Sequence, residues 1–339
     1  MIVLGIILFI SSAVFSYALN AVLYKYARGI GGRGKGQDVV RWGSTSKPTL
    51  GGIAFFAVFL SAALVFYATQ MMPSEGLVQY FGMVAAVTLG FFIGLQDDAY
   101  NTRPLLKLMG QITCGVVLIM FDTSIDLFGI PALDYALTIF WVVGIMNSIN
   151  LLDNMDGVTG TVSLVICAIS IVLISLFPGD AGDNPFLFIL IAMAGGLLGF
   201  LRLNWKPSSI YMGDTGSQFL GVLLSIVGIR FFWNIHHFAP GVDSSMQIIA
   251  PLMVFMVPVM DTTFVFVNRI SKGNSPFVGG KDHTTHHLTY LGVPENIVPL
   301  LMGLVSGISG VLAIFSIRYV AFWSVYHTIV FAAYLVISF

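Results

Sequence analysis

Long apolar runs recur along the whole chain and are separated by short polar segments. A helix that crosses roughly 30 Å of hydrocarbon needs about 20 mostly apolar residues. Measured against that length, the sequence predicts eleven spans, near 1–23, 49–69, 77–95, 106–121, 135–151, 160–177, 186–203, 215–232, 247–267, 297–316 and 319–337. The runs lack the alternation of lipid-facing barrel strands. The pattern therefore predicts an all-α, polytopic membrane protein.

Composition supports this fold class. Hydrophobic residues make up 57% of the 339 positions and charged residues 9%, against about 45–50% and about 25% in soluble domains. So few charges exclude a water-soluble enzyme, a nucleic-acid binder and a disordered chain. The first run begins at Met1 with no basic segment before it, which predicts a retained helix rather than a signal peptide. We interpret residues 1–339 as one integral membrane domain.

The basic residues are placed asymmetrically. All Lys and Arg residues except Arg230 and Arg318 lie in the odd-numbered gaps between the predicted spans. The even-numbered gaps carry acids instead, including Asp122, Asp126 and Asp134, which we predict to be solvated outer-loop charges. Because positive charge stays in the cytoplasm, the N-terminus is predicted outside and the C-terminus inside.

Four polar clusters fall on that same cytoplasmic side. They are Asp97-Asp98 after the third span, Asn147, Asn150, Asp153 and Asp156 at the end of the fifth, Asp214 at the start of the eighth, and His283, His286 and His287 after the ninth. Uncompensated carboxylates at a membrane face are costly, so the gathering indicates a cation site. Carboxylate and amide oxygens suit Mg²⁺.

Each cluster taken alone has a simpler structural interpretation. Asp97-Asp98 could be a solvated helix end, Asp214 a plain N-cap, and the pair Gly51-Gly52 a close-packing position. The histidine trio could bind metal incidentally, and we interpret His236, His237 and His327 as interfacial residues. The case for a site depends on the four clusters occurring together on one face.

Five motifs occur in a fixed order: KPTLGG from Lys47, GLQDDAY with Lys107 downstream, NSINLLDNMDG, FLRLNWKPSSIYMGDTGS and a histidine-rich loop ending at His287. In order and spacing they resemble the polyprenyl-phosphate N-acetylhexosamine-1-phosphate transferases, most specifically in the pair NxxNxxDxxDG and GDTGS. The resemblance implies transfer of a sugar 1-phosphate from a UDP-sugar to a membrane polyprenyl phosphate, with release of UMP. It also implies Mg²⁺, with Mn²⁺ as the alternative, and a site on the cytoplasmic side of a bacterial inner membrane.

The resemblance implies roles for several residues around the phosphates of the two substrates. Asp97 and Asp98 match paired aspartates beside the attacking phosphate, where one would orient the lipid phosphate or take its proton. Lys107 matches a lysine that contacts phosphate. Asn150 and Asp214 match Mg²⁺ ligands. Whether transfer is direct or passes through a covalent aspartyl intermediate stays open.

A second set of matches concerns the nucleotide and the sugar. Lys47 and Asp156 match residues at the nucleotide end, and Asn204 and Tyr211 match positions near the uridine. Asp153 belongs with the substrate-binding residues. Asp156 is also counted with the catalytic set, together with the histidines of the loop that closes over phosphate and sugar, His283, His286 and His287.

The chain departs from the family pattern in two places that bear on the donor. Asn154 stands where family members often have glycine, and Thr284 stands where the first histidine of HxHH would be. The MAPxHHH form of the pentapeptide-handling branch is absent. The eleven-span, outside-to-inside arrangement resembles the branch of the family that starts O-antigen, teichoic-acid and related glycans, which implies UDP-GlcNAc as donor and undecaprenyl phosphate as acceptor. Another UDP-N-acetylhexosamine and UDP-MurNAc-pentapeptide are the alternatives.

The predicted catalytic loops lie near 24–48, 96–107, 151–160, 203–215 and 268–296. Membrane lipids are expected partners, nucleic acid is not, and a homodimer is left open. Two other classes of protein compete with the enzyme. An ion-coupled transporter would place its acids near the midplane, on helices of paired repeats. In this sequence the acids cluster at one face and there is no convincing internal repeat. A lipid-binding scaffold would not need both metal-ligating and nucleotide-side residues.

Overall fold

The computed structural model describes residues 2–30, 47–69, 76–177, 184–237, 239, 244–273, 280, 282–319 and 323–338. Within them the α-helices are α1 (Ile2–Ile30), α2 (Gly51–Ala68), α3 (Leu77–Tyr100), α4 (Pro104–Met120), α5 (Pro131–Leu152), α6 (Val158–Leu176), α7 (Asn184–Asn204), α8 (Gly213–Gly228), α9 (Ser244–Val254), α10 (Met256–Ser271), α11 (Thr284–Tyr290), α12 (Val298–Tyr319) and α13 (Val325–Ser338). A π-helix, Ile229–Trp233, extends α8, and a 3₁₀ turn, Ile235–His237, follows it. The described residues contain no strand, which confirms the all-α prediction.

Helix length and composition make this a multi-pass membrane protein. Among the described residues, 8 helices are long and apolar enough to cross a membrane, or up to 9 if the bent pair α9–α10 forms one span. Two shorter apolar helices, Pro104–Met120 and Val325–Ile337, lie where two further spans were predicted. The total of eleven spans and the orientation of the termini stay predictions.

The ninth predicted span, 247–267, is not one continuous helix. Helix α9 ends at Val254 and α10 begins at Met256, with an angle of 81° between them. Pro258 explains the break, because its nitrogen carries no hydrogen to donate to the carbonyl of Val254 four residues back. The segment is therefore a broken helix and not a straight one, and its crossing of the membrane as one span stays a prediction.

Helix α8 lies at the centre of the bundle and packs against α2, α3 and α5. All of its residues except Asp214 are buried. Glycines permit this close packing: a Cβ at Gly94 of α3 would lie 2.2 Å from the Asp214 carbonyl oxygen, and one at Gly52 of α2 would lie 2.3 Å from the Gly216 nitrogen. The interpretation of Gly51-Gly52 as a close-packing pair is confirmed. The same contacts bring the end of α3 to the start of α8.

One outer-loop prediction was wrong. Asp134 is buried in the first turn of α5, where its Oδ1 accepts hydrogen bonds from the backbone nitrogens of Leu127 (3.1 Å) and Phe128 (2.9 Å). A carboxylate that closes its own loop in this way has its charge satisfied without bulk water. Asp126 in the same loop has an exposed side chain, as expected.

Candidate active site

Four helix ends meet around the side chain of Lys107. The ammonium nitrogen of this residue, in the first turn of α4, lies 2.7 Å from Oδ2 of Asp97 and 3.0 Å from Oδ1 of Asp214. Oδ1 of Asn150, near the end of α5, is 3.3 Å away. These residues are far apart in sequence, so the site exists only once α3, α4, α5 and α8 have packed.

Further hydrogen bonds fix the oxygens of this group. The other oxygen of Asp97 accepts bonds from the backbone nitrogen (2.9 Å) and hydroxyl (2.7 Å) of Thr102, in the short turn between α3 and α4. The amide nitrogen of Asn150 donates to Asp214 and to the hydroxyl of Ser217 at 2.9 Å. A site held by such secondary contacts keeps its geometry when substrate arrives.

Asp98 has a different environment from Asp97. It is 8% exposed, and its Oδ2 accepts bonds from the backbone nitrogen (2.8 Å) and the hydroxyl (2.7 Å) of Thr215. Its carboxylate therefore sits at the N-terminus of α8, where the helix dipole favours negative charge. Asp98 is thus the carboxylate that accepts a backbone hydrogen bond at this terminus. The alternative interpretation of Asp214 as a plain N-cap is wrong, because Asp214 lies within the first turn of α8. That leaves Asp214 available to the site.

The residues present fit a divalent cation. Oxygens of Asp97, Asn150 and Asp214 converge on one point, which the Lys107 ammonium occupies. Two carboxylates share that single positive charge, so the group as described carries net negative charge. Such a charge at the end of a membrane span favours a further cation, and the oxygen donor set is the one Mg²⁺ prefers.

A second polar group lies beside the first, where Tyr211 leads into α8. Lys47 donates to the hydroxyl of Ser208 at 2.8 Å and lies 3.6 Å from Oδ2 of Asp156. The backbone nitrogen of Ser208 donates to the same carboxylate at 3.2 Å. The Lys47 nitrogen also lies 5.1 Å from the centre of the Tyr211 ring, within cation–π range. The structure thus brings together Lys47, Asp156 and Tyr211.

Asn204 holds the loops behind that group. It is 4% exposed; its Oδ1 accepts a bond from the Gly157 nitrogen and its Nδ2 donates to the Ile210 carbonyl, both at 2.9 Å. Its amide therefore joins the start of α6 to the segment before α8. Asp153 caps the end of α5, one turn from Asn150. Both residues border the site, and their contact with uridine or substrate stays a prediction.

The histidine segment folds onto an acid that we did not single out from the sequence. Nδ1 of His283 lies 2.8 Å from Oδ2 of Asp261, and the other oxygen of Asp261 accepts a bond from the backbone nitrogen of Thr284 at 2.8 Å. Asp261 is 1% exposed, in α10. The buried His286 ring lies 5.3 Å from the His283 ring, whereas His287 is exposed and its ring faces Phe264. Two of the three histidines therefore lie together.

Helix α11 is also anchored at two other points. The Thr285 hydroxyl donates to Oδ1 of Asn154 at 2.6 Å, which ties α11 to the loop between α5 and α6. Arg269 donates two bonds of 2.8 Å to the carboxylate of Asp282. These bonds hold the pKa of Asp282 below its usual value. Asp261 could have been noticed as an acid within the apolar run MVPVMDTTFVF.

Fold and site together define the class: a multi-pass membrane protein with a carboxylate–lysine site built at the ends of its helices. Residues 80–232 match the family model described as Glycosyl transferase family 4. A decaprenyl-phosphate N-acetylglucosaminephosphotransferase of Mycobacterium leprae (strain TN) is 32% identical over 78% of this chain and 72% of its own length. A probable undecaprenyl-phosphate N-acetylglucosaminyl 1-phosphate transferase of Bacillus subtilis (strain 168) is 28% identical over 79% and 72%. A phospho-N-acetylmuramoyl-pentapeptide-transferase of Streptococcus thermophilus is 31% identical over 63% and 68%. The chain belongs to glycosyl transferase family 4, the polyprenyl-phosphate sugar-1-phosphate transferases.

Proposed function

We propose that this protein transfers N-acetylglucosamine 1-phosphate from UDP-GlcNAc to undecaprenyl phosphate. An oxygen of the lipid phosphate attacks the β-phosphorus of the donor, and the bond from that phosphorus to the bridging oxygen breaks. The products are polyprenyl-diphosphate-GlcNAc and UMP. The observation that supports this most strongly is the Lys107 ammonium held among oxygens of Asp97, Asn150 and Asp214.

Phosphoryl transfer needs positioned reactants and compensated charge more than covalent help from the protein. Lys107 holds a phosphate oxygen in place of one of its present carboxylate partners. Asp97, next to it and fixed by Thr102, orients the lipid phosphate and accepts its remaining proton. Asp98 acts on the reaction through α8, whose N-terminus it holds, and so places Asp214.

Asn150 and Asp214 are the residues that would hold Mg²⁺. When bound, the ion would offset the negative charge of the donor diphosphate and of the departing UMP. Ser217 keeps the Asn150 amide in position by accepting one of its hydrogens. Mn²⁺, which accepts the same oxygen ligands, is the alternative ion.

Tyr211, Lys47 and Asp156 receive the nucleotide end of the donor. The Tyr211 ring is half-buried and offers a face on which uracil stacks, while Lys47 and Asp156 supply a hydrogen-bond donor and acceptor beside it. Asn204 and Asp153 shape the loops around this end. His283, just before α11, and His286, within it, face the sugar and phosphates, and the Asp261 and Asn154 contacts hold this helix in place.

The active site faces the cytoplasm of a bacterial inner membrane in this proposal. The basis is the distribution of Lys and Arg, which indicates that Lys47 and the helix ends that carry Lys107 and Arg269 lie on the side where positive charge is retained. Nucleotide sugars are soluble donors, so a site at a helix end can receive the donor from water and the acceptor from the bilayer.

The donor and metal are tested by UMP release from detergent-purified protein given undecaprenyl phosphate and Mg²⁺. Three donors are compared: UDP-GlcNAc, UDP-GalNAc and UDP-MurNAc-pentapeptide. We expect UMP with UDP-GlcNAc alone, abolished by EDTA and restored by Mg²⁺. UMP with another donor would replace our donor assignment and keep the reaction. No UMP with any donor, from folded protein, would contradict the proposal.

A further inference from the structure

A second cluster of ligating side chains lies at the far end of the helices from the active site. It consists of Asp126, His236 and His237, each of which offers a ligand atom within 4.8 Å of those of the other two. Asp126 follows the end of α4, whose first turn carries Lys107. His236 and His237 follow the π-helix that extends α8, about 30 Å along the axis from Asp214 at 1.5 Å per residue.

The spacing and chemistry of this cluster suit zinc. Nε2 of His236 lies 3.4 Å from Oδ2 of Asp126. Two ligands at about 2.0–2.1 Å from a tetrahedral zinc ion are about 3.4 Å apart. Two imidazoles with one carboxylate form a set that zinc binds and that Mg²⁺, with its preference for oxygen, does not favour.

The backbone around the cluster is held in place by a side chain between the two segments. Oδ1 of Asn234 accepts a bond from the Asp126 nitrogen at 2.9 Å, and its Nδ2 donates to the Ser124 carbonyl at 2.8 Å. The Asn234 carbonyl in turn accepts a bond from the His237 nitrogen at 3.1 Å. The loop after α4 and the turn after α8 are thus joined before any ion binds.

A further side chain orients one of the histidines. Nδ1 of His236 contacts the amide of Gln247, a buried residue of α9. A ligating histidine usually has its second ring nitrogen hydrogen-bonded in this way, which fixes the ring and its tautomer. The preceding π-helix is itself a form that often accompanies functional sites.

We propose that Asp126, His236 and His237 bind one Zn²⁺ ion, with water at the fourth position. The ion joins the α4–α5 connection to the α8–α9 connection. It therefore fixes the end of α8 opposite Asp214. This site is independent of the transfer reaction proposed above, and either can fail without the other.

The test is zinc binding by full-length protein in detergent, with any affinity tag removed and bound metal stripped by a chelator. Titration of Zn²⁺ in competition with a chromophoric indicator should give one ion per chain. We expect His236→Ala, His237→Ala and Asp126→Asn each to weaken binding by at least about tenfold. His327→Ala is the matched control, because His327 lies outside the cluster and its ring is hydrogen-bonded to Ser324. This variant should bind zinc as tightly as the unaltered protein.

A second measurement compares the effects of Zn²⁺ and Mg²⁺ on thermal melting. Zn²⁺ should raise the Tm of the unaltered protein by mass action. Mg²⁺ at the same concentration should not raise the Tm of the active-site variant Asp214→Asn when nucleotide is absent. No zinc bound by the unaltered protein, or equal affinity in the three cluster variants and the control, would overturn the proposal. Equal affinity in all four variants would mean that zinc binds elsewhere, for example at the histidines of α11.

Discussion

Asp97 and Asp98 are neighbours in sequence and have different partners. Successive residues of an α-helix point about 100° apart, so the side chain of Asp97 reaches Lys107 while that of Asp98 reaches Thr215 at the start of α8. The sequence marks both as candidates and cannot separate their roles, because the difference depends on which helix lies on each side of α3.

This difference predicts distinct effects of the two substitutions to asparagine. Asp97→Asn should lower kcat for UMP release by about 10²–10³-fold, the scale for loss of one acid–base or electrostatic group, with little change in Tm. Asp98→Asn should lower Tm as well, because the start of α8 loses a charged acceptor. Thermal melting in detergent and UMP release measure the two effects.

Asp122→Asn is the matched control, since Asp122 lies in the left-handed region (φ 54°), which asparagine also tolerates, away from the site. It should change neither quantity. Equal loss of Tm in Asp97→Asn and Asp98→Asn would show that the two carboxylates do not play the separate roles described above.

At the scale of elements, the site depends on how closely α3 approaches α8. Gly94 lets the two backbones touch, with the Asp214 carbonyl oxygen 2.2 Å from the position that a Cβ would take. Gly144 of α5, by contrast, has free space beside it: no heavy atom lies within 4 Å of an added Cβ.

Gly94→Ala should therefore push α3 from α8, destabilise the protein by about 1–3 kcal/mol and lower UMP release by separating Asp97 and Lys107 from Asp214. Gly144→Ala adds the same methyl group to a helix with space for it, and should leave activity unchanged and stability equal or up to about 1 kcal/mol higher. Thermal melting and UMP release of both variants test this. Unchanged activity in Gly94→Ala would contradict the role given to this contact.

The anchoring of α11 predicts a pH dependence. The two bonds from Arg269 lower the pKa of Asp282 in the folded protein. A carboxyl group with a lowered pKa stabilises the fold above its unfolded pKa of about 3.9 and loses that contribution as the pH falls through the folded value. The Tm difference between the unaltered protein and Asp282→Asn should thus be constant from about pH 8 to about pH 5 and shrink below about pH 4. A difference that grows on acidification would contradict this assignment.

Element boundaries show what the sequence could predict and what it could not. Apolar runs locate α2, α5, α6 and α7 to within a few residues, because a membrane span must be long and apolar. The break at Phe255 was readable from Pro258, but the 81° angle depends on what α9 and α10 pack against. Asn204 could be singled out from the motif, whereas its bonds to Gly157 and Ile210 require the tertiary fold.

At the scale of the whole molecule, the prediction to test is the number of membrane crossings and their direction. The apolar runs predict eleven crossings, and the distribution of Lys and Arg predicts the N-terminus outside and the active site inside. Both native cysteines, Cys114 and Cys167, are buried, so single cysteines introduced at exposed positions can report the side on which they lie.

Ser324→Cys, before α13, should react with a membrane-impermeant maleimide in intact cells. Lys272→Cys, at the end of α10, should react only after the membrane is opened. Both positions are exposed, so a difference in labelling reports the side of the membrane and not burial. The reverse pattern would invert the predicted orientation and place the proposed site outside the cell.

The central claim is that one site, built from Asp97, Lys107, Asn150 and Asp214, carries out sugar-phosphate transfer. The most direct test is UMP release from UDP-GlcNAc and undecaprenyl phosphate by the unaltered protein and by Asp214→Asn, side by side with the Asp122→Asn control. We predict turnover in the unaltered protein and the control, and a loss of at least about 10²-fold in Asp214→Asn with its fold intact. Full turnover in Asp214→Asn would contradict the account.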